Sequence, residues 1–372
     1  MSTSINNAVR VSFVGDINLC GGVLNNYLMK SRIAHMSVYD YLRNSDCVIG
    51  NIECTLSEKG EIKKDKHVCL RAPSVIGKAI RELGINVAMV ANNHINDYGE
   101  EAFFDTLYNI TQQGINTVGG GVNISEARKP VVIKVKGCTL GFLNYSDAED
   151  NYATMEKYGI APGKDEYIIS DIRSLENHAD IIIVGLHAGI EFSRMPSQTL
   201  ISKCDKYIKA GASIIVGHHP HVFQPIKMAG NKLTAYSLGN FIFDPNYLLD
   251  NTHSAKTGIL TIEIRDKNTL DYSIEPCFID EKGLPSVVTD LHKRQVFYEE
   301  LNDMNNIMKR TKYLKRIQRR DWLNNKIRQI KVVATSGKSK GLPYLANYMK
   351  NKLKLYANRL ISRVQGIART GE

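Results

Sequence analysis

The sequence predicts an α/β protein with a basic C-terminal extension, and three observations support this. Short β-branched runs alternate with amphipathic segments over the first 280 residues, a pattern typical of helices packed on a sheet. Polar side chains recur directly after these runs. The last 72 residues hold 18 Lys and Arg against 3 acidic residues, leaving 30 of 48 basic and 35 of 38 acidic residues to the first 300. We therefore expect one domain over residues 1–295 and a basic α-helical extension over 296–372.

The composition is that of an ordinary globular protein. Of the 372 residues, 43% are hydrophobic and 23% charged, which excludes wholesale disorder and a multi-span membrane protein. No run approaches the ~20 apolar residues of a spanning helix, and the N-terminus lacks the apolar region of a signal peptide. We therefore expect a cytoplasmic location. The seven cysteines are scattered without a C-x-x-C pair, which predicts reduced thiols.

Each predicted element rests on a local pattern. β-Branched runs predict strands over residues 9–14, 47–50, 87–90, 116–118, 131–135, 139–144, 180–186, 213–216 and 233–238. Amphipathic runs predict helices over residues 73–83, 100–113, 170–178 and 197–210. Pro73 suits the start of the first helix, and Gly114 suits the end of the second. Residues 258–265 and 270–278 alternate in polarity and predict an antiparallel hairpin.

Metal-ligating side chains follow separate predicted strands, at the point where each strand ends. In open α/β sheets, ligands bind at the carboxyl ends of the strands. Carboxylate, amide and imidazole donors together suit Mn²⁺, Zn²⁺ or Fe²⁺, and a carboxylate can bridge two such ions. His94 follows one of these strands and is a candidate general acid. The predicted ligands are Asp16, Glu53, Asn93, His187, His219 and His221.

Six motifs in order resemble the bacterial capsule-synthesis protein CapA family, also described as poly-γ-glutamate synthesis proteins. They are VGDINL (14–19), NIE (51–53), ANNHINDYG (91–99), LHAGIEF (186–192), GHHPH (217–221) and YSLGNFIFD (236–244). The resemblance spans residues 9 to 280. It implies a calcineurin-like metallophosphoesterase fold, a four-layer αββα sandwich with a metal centre at one edge.

The resemblance also implies roles for individual residues. Asp16 matches the first-motif aspartate and Glu53 stands where the bridging aspartate usually sits. The Asn-His pair, the isolated histidine and the final H-x-H pair are matched by Asn93 with His94, His187, and His219 with His221. The usual D-x-H is replaced here by a motif that ends in Asn18. Asn18 could supply an oxygen, or the ion beside Asp16 could be weakly held or absent, so one or two ions are expected.

Several neighbouring residues have two interpretations. Glu191 either orients His187 or forms a salt bridge, and Asn240 either faces the substrate or holds a turn. We expect His218 to point away from the site and Asp97 to cap the following helix.

The basic region predicts two helices, over residues 301–331 and 342–369. The second carries an apolar stripe spaced by 3 or 4 residues, with Lys and Arg on its other faces. The region either packs as a helical hairpin with a solvated basic face or contacts an anionic polymer or the inner face of an anionic membrane. Trp322 is the single tryptophan of the chain, so stacking on nucleic acid has little support, although charge alone does not exclude nucleic-acid binding.

These observations favour a metal-dependent hydrolase of capsule or exopolymer biosynthesis. Its substrate would be an anionic polymer or a phosphoester, attacked by a metal-activated water. One alternative is a non-catalytic component of a polymer synthesis or export complex, favoured by the missing histidine at position 18. Another is a nucleic-acid phosphodiesterase.

Overall fold

The computed structural model describes residues 8–63, 66, 68–244, 246, 253–266, 269–310 and 314–327. The first elements are β1 Val9–Ile17, α1 Gly22–Lys30, α2 Met36–Leu42, β2 Cys47–Ile52, β3 Thr55–Leu56, β4 Arg71–Ala72, the 3₁₀ helix Ser74–Ile76, α3 Gly77–Glu82, β5 Val87–Met89, α4 Gly99–Thr111, β6 Asn116–Val118, β7 Gly120–Gly121 and α5 Ile124–Ala127. They are followed by β8 Val131–Val135, β9 Cys138–Ser146, the 3₁₀ helix Glu149–Asn151, β10 Gly159–Ile160, α6 Asp165–Leu175, β11 Ile181–His187, α7 Gln198–Lys209, β12 Ile214–His218, β13 Ile226–Ala229, β14 Lys232–Ala235, β15 Asn240–Ile242, β16 Lys256–Asp266, β17 Thr269–Ile279, β18 Pro285–Val287 and α8 Leu291–Met308.

Most strands belong to one of two large sheets. The larger sheet has the order β18-β17-β16-β1-β2-β5-β6, with β15 pairing beside the end of β1. Its β1, β2, β5 and β6 are parallel, whereas β16 is antiparallel to both β1 and β17. The other sheet has the order β13-β14-β12-β11-β9-β8, in which β9, β11, β12 and β14 are parallel. The α/β class and the predicted hairpin of β16 with β17 are therefore confirmed.

Apolar side chains between the sheets and beneath the helices form the core. One cluster joins Val11 and Phe13 of β1 to Leu140 and Phe142 of β9, and it continues beneath α6 and α7. A second cluster lies under α1, α2, α3 and α4 on the opposite face of the larger sheet. Because β-strand side chains alternate between faces, each sheet contributes to an inner and an outer layer. The predicted αββα sandwich is thus confirmed for the described residues.

Some predicted boundaries differ from those observed. The helix predicted at 170–178 spans Asp165–Leu175, since the acidic pair Asp165 and Glu166 suits a first helical turn. The helix predicted from residue 73 begins with the 3₁₀ helix Ser74–Ile76. The strand predicted to reach residue 238 ends at Ala235, and β15 starts only after the positive φ of Gly239.

The C-terminal part of the described chain is helical. Helix α8 continues through residue 295, and its Leu301 and Met304 are buried in the core. The compact α/β unit extends to Asp321, and residues 314–327 are also helical. The helix predicted over 342–369 lies outside the described residues, so the basic extension of 296–372 stays a prediction. Among the helices that the structure describes, none combines the length and hydropathy needed to cross a bilayer.

Candidate metal centre

The carboxyl ends of parallel strands from both sheets meet at one edge of the sandwich. Asp16 lies near the end of β1, and Glu53 directly follows β2. His187 is the last residue of β11, and the loop after β12 carries His219 and His221. These side chains lie close together because each is on, or directly after, a parallel strand whose position is fixed by the sheet. The strand-end reasoning from the sequence predicted this arrangement.

Glu53 is shared by two groups of side chains that could each hold a cation. One group combines Glu53 with Asp16 and His187, and the other combines it with His219 and His221. Within each group, one potential ligand atom per residue lies within 4.8 Å of the others. Glu53 Oε1 is 3.6 Å from His187 Nε2 and 3.9 Å from His221 Nε2. The two groups of candidate ligands therefore overlap at the carboxylate of Glu53.

The environment of Glu53 fits an oxygen ligand for a divalent cation. Its side chain is fully buried, and neither carboxylate oxygen accepts a hydrogen bond from any described residue. Burial, and next the nearby charges of Asp16 and Glu191, raise the pKa of Glu53 well above its ordinary value. A buried carboxylate without donors is costly unless a cation neutralises it. This side chain therefore fits a cation better than it fits a hydrogen-bonded core.

Asp16, in contrast, is surrounded by donors. Its Oδ1 accepts a hydrogen bond from Asn51 Nδ2 at 2.9 Å and lies 3.0 Å from His218 Nδ1. Its Oδ2 accepts from the backbone N–H of His219 at 3.2 Å. Although burial opposes ionisation, these donors and the nearby His221 hold the pKa of Asp16 below its ordinary value. The expectation that His218 points away is wrong, because His218 ends β12 and faces β1 across the sandwich.

Two imidazoles of the centre, those of His187 and His221, are favoured in the neutral form that binds metals. Burial and then the neighbouring imidazoles of His219 and His218 lower the pKa of His187 well below its ordinary value. Burial also lowers the pKa of His221. His187 Nε2 is 2.7 Å from Asn93 Oδ1, which brings the predicted ligand Asn93 into the same centre. Neutral nitrogen donors beside carboxylate and amide oxygens suit a transition-metal ion.

The loop after β12 requires an unusual backbone. His219 has a φ of 93° and His221 a φ of 58°, both in a region that side chains other than glycine rarely adopt. Asn240 Oδ1 lies 2.9 Å from His221 Nδ1, so Asn240 orients this imidazole. The approach of Asn240 depends on Gly15, because an added Cβ there would overlap the carbonyl oxygen of Gly239. Asn240 thus contacts a candidate ligand, whereas its two interpretations placed it against the substrate or in a turn.

His94 lies at the rim of the centre and is paired with Asp97. His94 Nδ1 is 2.7 Å from Asp97 Oδ2, and the same oxygen accepts the backbone N–H of Leu70 at 2.8 Å. The side chain of Asp97 is fully buried, whereas that of His94 keeps 13% exposure. The expectation that Asp97 caps α4 is wrong, because Tyr98 occupies the N-cap and no side chain caps this helix.

Asn18 and Glu191 were also predicted to lie near the metal ligands. Asn18 is buried, and its Oδ1 accepts the backbone N–H of Cys20 at 3.0 Å. The oxygen that sequence reasoning offered as a ligand is therefore engaged within its own loop. Glu191 is partly buried, and its charge contributes to the raised pKa of Glu53.

Asn51 is a residue of the site that sequence reasoning missed. Its Nδ2 contacts both Asp16 Oδ1 at 2.9 Å and His187 Nδ1 at 3.4 Å, and its Oδ1 accepts from Asn92 Nδ2 at 3.2 Å. Asn51 therefore connects the two sheets at the centre. The available signal was its position two residues before Glu53, since alternate residues of an extended chain share a face.

A family model and the sequences of known relatives assign the chain to the same family. The family model described as bacterial capsule synthesis protein PGA_cap matches residues 10–245. The chain is 30% identical to the PGA biosynthesis protein CapA of Bacillus subtilis, over 82% of this chain and 81% of that protein. It is also 30% identical to the capsule biosynthesis protein CapA of Bacillus anthracis, over 80% of this chain and 74% of that protein. Among solved structures, a 5'-nucleotidase from Candida albicans is similar at 12% identity and a TM-score of 0.44, covering 82% of this chain and 59% of that one. The chain belongs to the bacterial capsule synthesis protein family, PGA_cap.

Proposed function

We propose that this protein is a metal-dependent hydrolase of poly-γ-glutamate-type capsule biosynthesis. The observation that carries the proposal is the buried Glu53 carboxylate, which accepts no hydrogen bond from the described part of the chain and is shared by two groups of candidate ligands. The biosynthetic context is that of its relatives, two of which are named for PGA or capsule biosynthesis. The substrate would be the anionic polymer or a phosphoester.

The candidate ligands define the proposed cofactor. Mn²⁺, Zn²⁺ or Fe²⁺, as one or two ions, would be held by the residues of the candidate metal centre, namely Asp16, Glu53, Asn93, His187, His219 and His221. Such an ion lowers the pKa of a water molecule and polarises the oxygen of a phosphoryl or acyl group.

His94 supplies the proton in this proposal. Since the carboxylate of Asp97 accepts from Nδ1 of His94, the hydrogen-bond network assigns the proton of the neutral imidazole to Nδ1. Nε2 of His94 can then take up a second proton and deliver it to a leaving group at the rim of the centre. Asp97 stabilises the charged imidazole and fixes the orientation of its ring.

The non-catalytic alternative also has a specific observation in its favour. Asn18 stands in place of the usual histidine, and its oxygen already accepts the Cys20 N–H. A centre that lacks this ligand could bind one ion and serve recognition within a synthesis or export complex. A nucleic-acid phosphodiesterase has less support, because it depends on the basic residues of 301–372. The contact of this region with an anionic membrane surface also stays a prediction.

The proposal is tested by metal content and turnover of the full chain. We expect bound transition metal in the wild type, its loss in Asp16→Asn and His187→Gln, and its retention in the control His178→Gln, which alters an exposed histidine of another surface. We expect Mn²⁺-dependent cleavage of phosphodiesters or of γ-glutamyl amides, reduced in His94→Gln although metal is retained. An absence of metal would contradict the proposed centre. Metal binding without turnover of any substrate in the panel would favour the non-catalytic alternative.

A further inference from the structure

A cleft at the end of α1 is lined by both cationic and apolar side chains. It lies between the C-terminal end of α1 and the turn that joins β17 to β18, and its volume is about 360 Å³. We call it the basic cleft, defined by Lys30, Arg32, His35, Met36, Asp280 and Lys282. This volume falls within the range of about 300–1,000 Å³ that is common for ligand sites.

The charges of the basic cleft are not balanced by its own residues. The side chains of Lys30, Arg32 and Lys282 form no ion pair or hydrogen bond with any residue that the structure describes. Asp280, the one carboxylate among the lining residues that the structure describes, is already engaged. It contacts His35 Nε2 at 2.8 Å and accepts the backbone N–H of Lys282, also at 2.8 Å. Three cationic groups therefore remain available to an anionic ligand.

The topology places this cleft at the same sheet edge as the candidate metal centre. Because β16 is antiparallel to both β1 and β17, the latter two strands run in the same direction. The end of β17 therefore lies at the edge where β1 presents Asp16. The backbone N–H of Phe243 donates to the carbonyl of Gly283 in the turn after β17, at 3.1 Å. The ring of Phe243 lies 5.1 Å from that of His221, so one residue connects the cleft wall to the candidate centre.

We propose that the basic cleft binds a segment of an acidic polymer, a chain of repeated carboxylates, while another part of that chain lies at the candidate metal centre. This inference rests on the proposed function. Lys30 and Lys282 come from opposite walls, so they can contact successive carboxylates of one extended chain. The concave shape favours a polymer segment over a lipid bilayer, because a flat membrane surface contacts protruding groups. Leu28 and Met29 on α1 are exposed and apolar, as residues that contact a membrane often are. Binding to anionic lipid is therefore the alternative against which polymer binding is tested.

The test measures binding of fluorescently labelled poly-γ-glutamate to the full chain by anisotropy, in the presence of a chelator so that no turnover occurs. We expect salt-sensitive binding. The double variant Lys30→Gln with Lys282→Gln should bind about tenfold more weakly, as expected when one or two charge-assisted contacts are lost. The control is Lys134→Gln with Lys209→Gln, which removes the same charge from exposed positions elsewhere and should remain within about twofold of the wild type.

Two outcomes would overturn the proposal. Equal affinities of the two double variants would show that the polymer binds elsewhere, for example at the basic residues of 301–372. Stronger binding to phosphatidylserine vesicles than to the polymer, lost in Lys30→Gln with Lys282→Gln, would identify a lipid surface instead. Two further measurements are made on the same samples. Urea midpoints show whether each variant is folded, and metal content tests the proposed metal centre independently of polymer binding. A chain that binds the polymer in this cleft but holds no metal would contradict only the proposed centre.

Discussion

Replacing Glu53 by glutamine should stabilise the metal-free protein while removing its response to metal. The carboxylate is fully buried without a donor among the described residues, and Asp16 lies in the same group of candidate ligands. An unpaired buried polar group costs about 1–3 kcal/mol, and a charged one costs more. Since the glutamine amide would also be unpaired, we expect a net gain of about 1–2 kcal/mol. At about 2–4 °C per kcal/mol, the melting temperature should rise by about 2–8 °C.

Adding metal should reverse this order of stability. A cation present at 100 times its Kd stabilises the wild type by about 2.7 kcal/mol, whereas Glu53→Gln should gain much less because a shared ligand is lost. The assay is thermal denaturation in chelator and then in Mn²⁺ or Zn²⁺. Glu61→Gln alters an exposed carboxylate and should shift the melting temperature by no more than about 1–2 °C. The reasoning is refuted if Glu53→Gln melts below the wild type in chelator, since the carboxylate would then be stabilising without a cation.

Three further predictions concern a positioning residue, the core and acid stability. Asp97→Asn removes the carboxylate partner of His94, so it should lower kcat about 10–100-fold and alter the pH profile of turnover. Metal content should stay unchanged. An unaltered pH profile would argue for a merely structural role. Phe142→Ala removes a fully buried ring between the sheets and should lower the free energy of unfolding by about 3–5 kcal/mol, measured by urea denaturation. Burial raises the pKa of Asp105, but hydrogen bonds from Lys59 and Ser57 outweigh it and hold that pKa below its ordinary value. The wild type should therefore be more stable than Asp105→Asn at pH 7, and this difference should disappear as the pH falls through the folded-state pKa of Asp105; a difference that persists in acid would contradict this.

The sequence was informative wherever a single strand or helix determined the outcome. The buried run that ends at His187 predicted both a strand and the position of the imidazole at its end. The alternation of strands and helices predicted only the α/β class, whereas the αββα layers were implied by the resemblance of the six motifs to the CapA family. Boundaries were less predictable, as at Asp165, where first-turn electrostatics extended the helix toward its N-terminus.

The sequence was less informative where two distant segments meet. The contact of His218 with Asp16 depends on which face of β12 is turned toward β1. The local sequence around His218 does not specify that face. Asp97 had the composition of a helix cap, but the fold placed it within 2.7 Å of His94. Asn51 resembled an ordinary polar residue before Glu53, and only the approach of both sheets gives it contacts with Asp16 and His187.

The backbone conformations of His219 and His221 reduce what these two residues contribute to the folding free energy. A side chain with a Cβ in such a conformation costs about 1–2 kcal/mol relative to the ordinary right-handed region. Glycine adopts the same conformations without this steric penalty. Selection for folding alone would therefore favour glycine at both positions. The presence of two imidazoles at these strained positions is therefore better explained by a chemical role than by folding stability.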